Sequence, residues 1–426
     1  MLIARTAAEL GQVLDQSRAN FAVERVPASQ AEDWSLTDGA LQHSSRGFFS
    51  VVGVTGARTD EGLVLLYQPQ AAVTGLLSAH SDGELCFLLQ ARAEPGCLGQ
   101  AQFGPTVQST PANFMRLHGG AGTPYVEALI AHDRATMPVD DTTQLDLGER
   151  YLFKTKRSIL ARASEPPPLQ PGFVWANVAA VRQACLESAF FNIDLRSIFS
   201  IAHWTTGEAE EGLAPRSLSV RRSLGAPVRP EVLGRLLAAL GSAERAELCY
   251  APLESLSNWR RTEWGFSERT LRQGFSIEFY RTSAKFREKS SWVQPLVNSV
   301  SEGEVVLACR ERAGALEVLV RVEPETGLAT GAAIGPSYVR YPGMESLPPA
   351  WASEAPGISG TTESDEGGRF FRDASLYKIV RFDAIEETPN NAWVRLSELK
   401  MLLRTSNICT IQLRGVVSQL LGAEFD

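Results

Sequence analysis

The 426-residue chain is 44% apolar and 21% charged, with net charge −8 and a pI near 5.4. That length exceeds one ordinary core and suggests two domains, and the balance is that of a globular protein. The acidity argues against non-specific nucleic-acid binding, and no apolar run reaches the ~20 residues of a membrane helix.

The opening "MLIARTAAELGQVLDQ" has no signal-peptide core and reads as an amphipathic helix with Ala8, Leu10, Val13 and Leu14 on one side. Apolar stretches at 48–54, 63–67 and 85–90, bounded by Gly, Pro, Asp or Ser, read as strands. "ASEPPPLQPG" (163–172) is a stiff loop leading into a helix whose buried stripe is Val178, Val181 and Cys185. Residues 203–227, rich in Glu, Gly and Ser, read as a linker, and the Pro-started "PEVLGRLLAALGSAERAEL" as a further helix. Leu396, Leu399 and Leu403 repeat the stripe near the end of the chain.

The chain contains itself twice. "PASQAEDW" ending at Trp34 matches "PLESLSNW" ending at Trp259, and Gln68-Pro69 matches Gln294-Pro295. Glu94-Pro95 aligns with Glu323-Pro324, and Gly104-Pro105 with Gly335-Pro336. Trp175 and Arg196 align with Trp393 and Arg414. Landmarks in one order at nearly constant spacing mark an internal duplication. Each copy is strands followed by a helix, so the fold class is α+β. Residues 1–203 form the first module, 204–229 the linker and 230–426 the second module.

No GxGxxG, GxxxxGK[ST], HExxH or GxSxG string occurs. The five histidines are not at ligand spacing, and the six cysteines form no CxxC, so they read as reduced thiols of a cytoplasmic protein.

"QARAEPGCLGQAQFGPTVQSTPANFMRLHGG" (90–120), "YQPQ" before it, "DLGERYLFK" (146–154) and the twin "W…LR[SG]" ends resemble the NDP-hexose 2,3-dehydratases of deoxysugar biosynthesis. The resemblance implies two tandem Nudix-like modules, usually a homodimer, each with a pocket for a thymidine-diphosphate sugar. It also implies conversion of dTDP-4-keto-6-deoxy-D-glucose to a 2,6-dideoxy-3,4-diketo sugar with no metal or redox cofactor. Consistently, neither copy has the R-E-x-x-E-E run with which a Nudix hydrolase holds magnesium. A non-catalytic nucleotide-sugar-binding or scaffold protein of the same fold is the alternative.

Dehydration next to a ketone needs a base, a donor to the enolate oxygen and an acid for the leaving hydroxyl, besides anchors for diphosphate and nucleobase. Gln90, Arg92 and Glu94 alternate along one strand and share a face, as do Thr106 and Gln108. Asn113, Arg116 and His118 follow, then Arg150, Tyr151, Lys154 and Lys156. Glu94, His118 and Tyr151 are the candidate base or acid, with Thr106, Gln108 and Asn113 as hydrogen-bonding partners. Arg116, Arg150 and Lys156 are the diphosphate candidates; Gln90, Arg92 and Lys154 are further contacts. For each, a surface or packing role is the competing reading. Gln68, the four duplicated tryptophans and the ion-pairing Arg196 and Arg414 read as structural. Copy two lacks the Thr-Val-Gln string, the asparagine and the histidine, which assigns the active pocket to the first module.

Overall fold

In the computed structural model, the structure describes residues 3–19, 21–31, 33–56, 62–116, 119, 121–130, 136–207, 212–270, 272–284, 290–371 and 373–425. Each half builds one large mixed sheet by the same path. In the first, Glu84–Ala93 and Thr155–Ala163 flank Ala72–Ser81, the latter in parallel, with Phe173–Asn177 beyond. In the second, Ala315–Pro324 and Ala374–Arg381 flank Gly303–Arg312, with Asn391–Arg395 beyond. The chain is thus a mixed α+β protein of two repeats.

Matching hydrogen bonds register the repeats. The Thr106 hydroxyl accepts from the Leu77 N–H (2.9 Å) and donates to the Leu88 carbonyl. The Ser337 hydroxyl does the same with Ala308 (2.8 Å) and Leu319 (2.7 Å). Gln90 faces Gly104 as Arg321 faces Gly335, and the Glu94 N–H reaches the Gln100 carbonyl as that of Glu325 reaches Gly331. Glu94 therefore corresponds to Glu325, and Arg92 to Glu323. The Glu-Pro alignment is off by two residues. A slip of two keeps every side chain on its face, so the alternation alone could not reveal it.

The halves interlock. Phe21–Arg25 adds to the second repeat's strand Phe275–Ala284, and Cys249–Ala251 adds to the first repeat's strand Ser50–Thr55. Helices Ile193–Ile201 and Ile411–Val417 pack together, each N-capped by its polar residue, Asn192 or Thr410. One apolar core runs through both repeats. The expected linker is not loose: it holds the helix Leu218–Leu224, whose Ser223 hydroxyl accepts from the Leu396 N–H at 2.8 Å.

Helix Ala7–Arg18 starts at Thr6, whose hydroxyl accepts from the Glu9 N–H, and buries Leu10 and Leu14. Ala8 is exposed and Ala7 packs in its place. Trp175 and Trp393 are fully buried. Arg196 makes the expected ion pair, with Glu363, whereas Arg414 donates to the Cys409 and Leu145 carbonyls and to the Ser197 hydroxyl. No helix among the described residues is long and apolar enough to cross a membrane.

Candidate active site

A cavity of about 370 Å³ opens at the seam between the repeats. Its floor comes from the first repeat's strands, and one wall comes from Trp292, Val293, Gln294, Glu366, Gly368 and Arg369 of the second. The pocket therefore does not belong to residues 1–203 alone.

Strand alternation delivers Arg92 to the cavity, where Nη2 and Nε hold Glu94 Oε1 at 2.7 and 3.2 Å, both residues being buried. Gln90 lies behind, its Oε1 accepting from Arg92 Nη1 at 2.7 Å, so it orients the guanidinium and does not line the cavity. Gln108 lines it and accepts from Asn192 Nδ2 at 2.8 Å; Asn113 reaches it from the short helix Pro111–Phe114.

Several candidates fall elsewhere. Thr106 is consumed by the backbone bonds that splice three strands, a role Ser337 duplicates. Arg116 is exposed and outside the cavity, so it is no diphosphate anchor in this structure. Arg150 is buried on the second repeat's side, donating to the Pro342 carbonyl at 2.5 Å with its guanidinium 4.6 Å from the Phe275 ring. Tyr151 is buried behind the cavity, stacked on Phe370 at 5.8 Å, and burial pushes its hydroxyl well above the usual pKa. It supports the wall and is no proton carrier for the cavity. His118 lies outside the described residues.

The cationic end is a linked network. Lys156 Nζ sits 3.1 Å from Asp146 Oδ2 and 2.8 Å from Asp194 Oδ1. Lys154 Nζ is 3.9 Å from the same Asp146 oxygen and donates to Gln68 Oε1 at 3.0 Å. Arg369 Nη2 donates to that same amide oxygen at 2.7 Å. Burial opposes charge on every member, and the neighbours decide the outcome. For Lys156 the two carboxylates overcome burial and raise the pKa. For Asp146 the two ammonium groups overcome it and lower the pKa. For Lys154, burial and then the Arg369 charge bring the pKa down to about 7.

The cavity is also lined by aromatic rings. Trp34 donates Nε1–H to the Val293 carbonyl at 3.0 Å, closing the seam, and packs on Phe49 at 5.0 Å. His43 stands edge-on to Trp34 and Phe48, and Trp292 faces the cavity from the opposite repeat. A lining that combines aromatic rings with cations suits a ligand that carries both a flat ring and an anionic group. Among the described residues, no group of three or more His, Cys, Asp or Glu is placed to hold a metal ion.

A family model described as NDP-hexose 2,3-dehydratase matches residues 8–202 and again 232–420. The chain belongs to the NDP-hexose 2,3-dehydratase family. A relative from Saccharopolyspora spinosa, named dTDP-4-dehydro-6-deoxy-alpha-D-glucopyranose 2,3-dehydratase, is 27% identical over 94% of this chain and 88% of its own. Proteins of the same name from Amycolatopsis orientalis (27%, covering 93% and 86%) and Streptomyces violaceoruber (26%, covering 93% of each) are also similar.

Within this family member, the sequence reading passed over Arg369, Glu366 and His43 and gave Gln68 and Trp34 structural roles only. One signal was present. "DLGERY" (146–151) and "DEGGRF" (365–370) share Asp-x-Gly-x-Arg-aromatic, and each loop docks on the other repeat. The Gly96 N–H reaches the Gly367 carbonyl and the Gly327 N–H the Gly148 carbonyl, both at 2.8 Å. Neither glycine has room for a Cβ: at Gly96 it would sit 2.1 Å from the Glu366 carbonyl, at Gly327 2.1 Å from that of Tyr151. Arg369 thus enters the first repeat's pocket just as Arg150 reaches into the second repeat to the Pro342 carbonyl.

Proposed function

We propose that this chain is a carbon–oxygen lyase that removes the C2 hydroxyl of dTDP-4-keto-6-deoxy-D-glucose, giving a 2,6-dideoxy-3,4-diketo sugar. The family match across both repeats supports the reaction, and the relatives' names supply the substrate. The observation that carries the reading onto particular residues is the cavity itself, lined both by aromatic rings and by Arg92, Lys154, Lys156 and Arg369. Trp34, Phe48 and Trp292 are the surfaces for a thymine ring, and the cations are anchors for a diphosphate.

The ketone at C4 acidifies the C3 hydrogen. Its removal gives an enolate, which expels the C2 hydroxyl, and the resulting enol relaxes to the diketone. Cationic donors held rigidly at the floor stabilise the enolate oxygen without reorganising. Each repeat is read as Nudix-like, the assembly as a homodimer and the place of action as the cytoplasm. Incubating the purified protein with the dTDP-keto sugar and following the loss of one water by mass spectrometry tests the reaction. Recovery of unchanged sugar, with dTDP binding intact, would favour a binding protein instead.

A further inference from the structure

We propose that Lys154 is the base that removes the C3 proton, and that Arg369, brought in by the second repeat, positions it and keeps it free to accept. The inference rests on the dehydratase reading above and names the groups that carry it out.

The geometry at Gln68 is the starting point. One amide oxygen accepts from both Lys154 Nζ and Arg369 Nη2, which draws two cationic groups together. A guanidinium does not surrender its proton, so the amine is the partner that can. The nearest anion gives Lys154 little relief. Asp146 Oδ2 is 3.1 Å from Lys156 but 3.9 Å from Lys154, and Lys156 is further held by Asp194. The Tyr151 ring lies 4.3 Å from Nζ, and Glu366, beyond Arg369, takes the N–H of Gly368. Burial and Arg369 leave Lys154 with a pKa of about 7, whereas Lys156 is raised. Two amines two residues apart line one cavity and are pushed in opposite directions, the signature of a base beside a fixed cation. A base poised near the working pH is also the one that transfers protons best.

The buried carboxylates that line the cavity are already committed: Glu94 to Arg92, Asp194 to Lys156 and Glu366 to Arg369. In the step, the Lys154 lone pair takes the C3 proton and the C–H pair becomes the enolate. Lys156 donates to its oxygen at C4. As the C4 carbonyl re-forms, the C2–O bond breaks, and the hydroxyl departs as water with the proton Lys154 had taken, restoring the amine. The enol left between C2 and C3 then gains a proton at C2 and loses one from the C3 hydroxyl.

The test compares wild type, Lys154→Met, Lys154→Arg, Arg369→Gln and Arg369→Lys for turnover, C3 hydrogen exchange in deuterated water, dTDP affinity and the pH profile of kcat. Removing a positioned base should lower kcat by about 100-fold or more in both Lys154 variants and abolish C3 exchange. The methionine variant should keep the wild-type far-UV circular dichroism and a cooperative melt, which report that it has folded. In the wild type, kcat should rise with pH through about 7. Arg369→Gln removes a positive neighbour, so that rise should move to higher pH, and Arg369→Lys should restore it. A lysine variant keeping more than a tenth of kcat, or an unmoved pH profile in Arg369→Gln, overturns the assignment. If the wild type itself removes no water from the sugar, the dehydratase reading falls with it. An active wild type beside an equally active Lys154→Met sinks only the lysine.

Discussion

The two seams of this molecule began as one design and ended as opposites. At the first, Lys156, Lys154 and Thr110 border an open cavity. In the second repeat the positions in register hold Ser375, Asp373 and Tyr341. There Ser375 and Tyr377 both donate to a buried Asp365, whose pKa burial raises to about 7. The Tyr341 side chain is buried in the space that Thr110 leaves open, with the Arg150 guanidinium 5.8 Å from its ring. The scaffold devices survive on both sides: the Thr106 and Ser337 hydroxyls, the docked glycine turns and the crossing arginines. Backbone satisfaction constrains both copies equally, whereas ligand chemistry constrains only one.

The sharpest way to break the comparison is at Asp146. Asp146→Asn leaves Lys154 and Lys156 buried without their shared carboxylate, so stability should fall by about 3–5 kcal/mol in urea denaturation, with turnover lost. Among the described residues, no such pair of amines stands around Asp365.

The equivalent glutamates should respond with opposite signs. Glu94→Gln breaks a buried ion pair with Arg92 and should destabilise at every pH near neutrality. Glu325 accepts from the Gly148 N–H at 2.7 Å and is raised by burial to about 8. Its folded pKa exceeds the unfolded one, so its contribution is complete below the unfolded pKa and is lost as pH climbs through about 8. Glu325→Gln keeps an acceptor and removes this loss, so its melting temperature relative to wild type should rise between pH 5 and 8.

The hydroxyl splices should behave alike. Thr106→Val and Ser337→Ala each strand a buried N–H and a carbonyl, costing about 1–3 kcal/mol by denaturant titration. Any loss of kcat in Thr106→Val should disappear once the fraction folded is taken into account. The smallest effect is expected at Arg116, which touches no part of the cavity. Arg116→Ala should leave turnover unchanged and stability within about 0.5 kcal/mol.

Which candidates survived follows from what strand periodicity can and cannot say. Alternation placed Arg92 and Glu94 on the face that meets the cavity, and Lys154 and Lys156 reach it together. Arg150 and Tyr151 were put forward only for their charge and ring near a strand; they come before the chain turns at 153–154, between Tyr151–Leu152 and Thr155–Ala163, and a turn changes sides without warning in the pattern. Arg116, at φ 58°, is aimed outward by a left-handed backbone that no period describes.

By itself, the sequence determined the duplication, the α+β class, the family and a polar strand in the first repeat, because repeats, alternation and motif strings are written along one dimension. Only the tertiary structure decided that Phe21–Arg25 and Cys249–Ala251 change partners, that Glu94 registers with Glu325, and that Arg369 reaches across the seam to the Gln68 oxygen shared with Lys154. Such pairings join residues hundreds of positions apart, and their strength comes from burial and charge compensation, which exist only once both repeats have closed on one another.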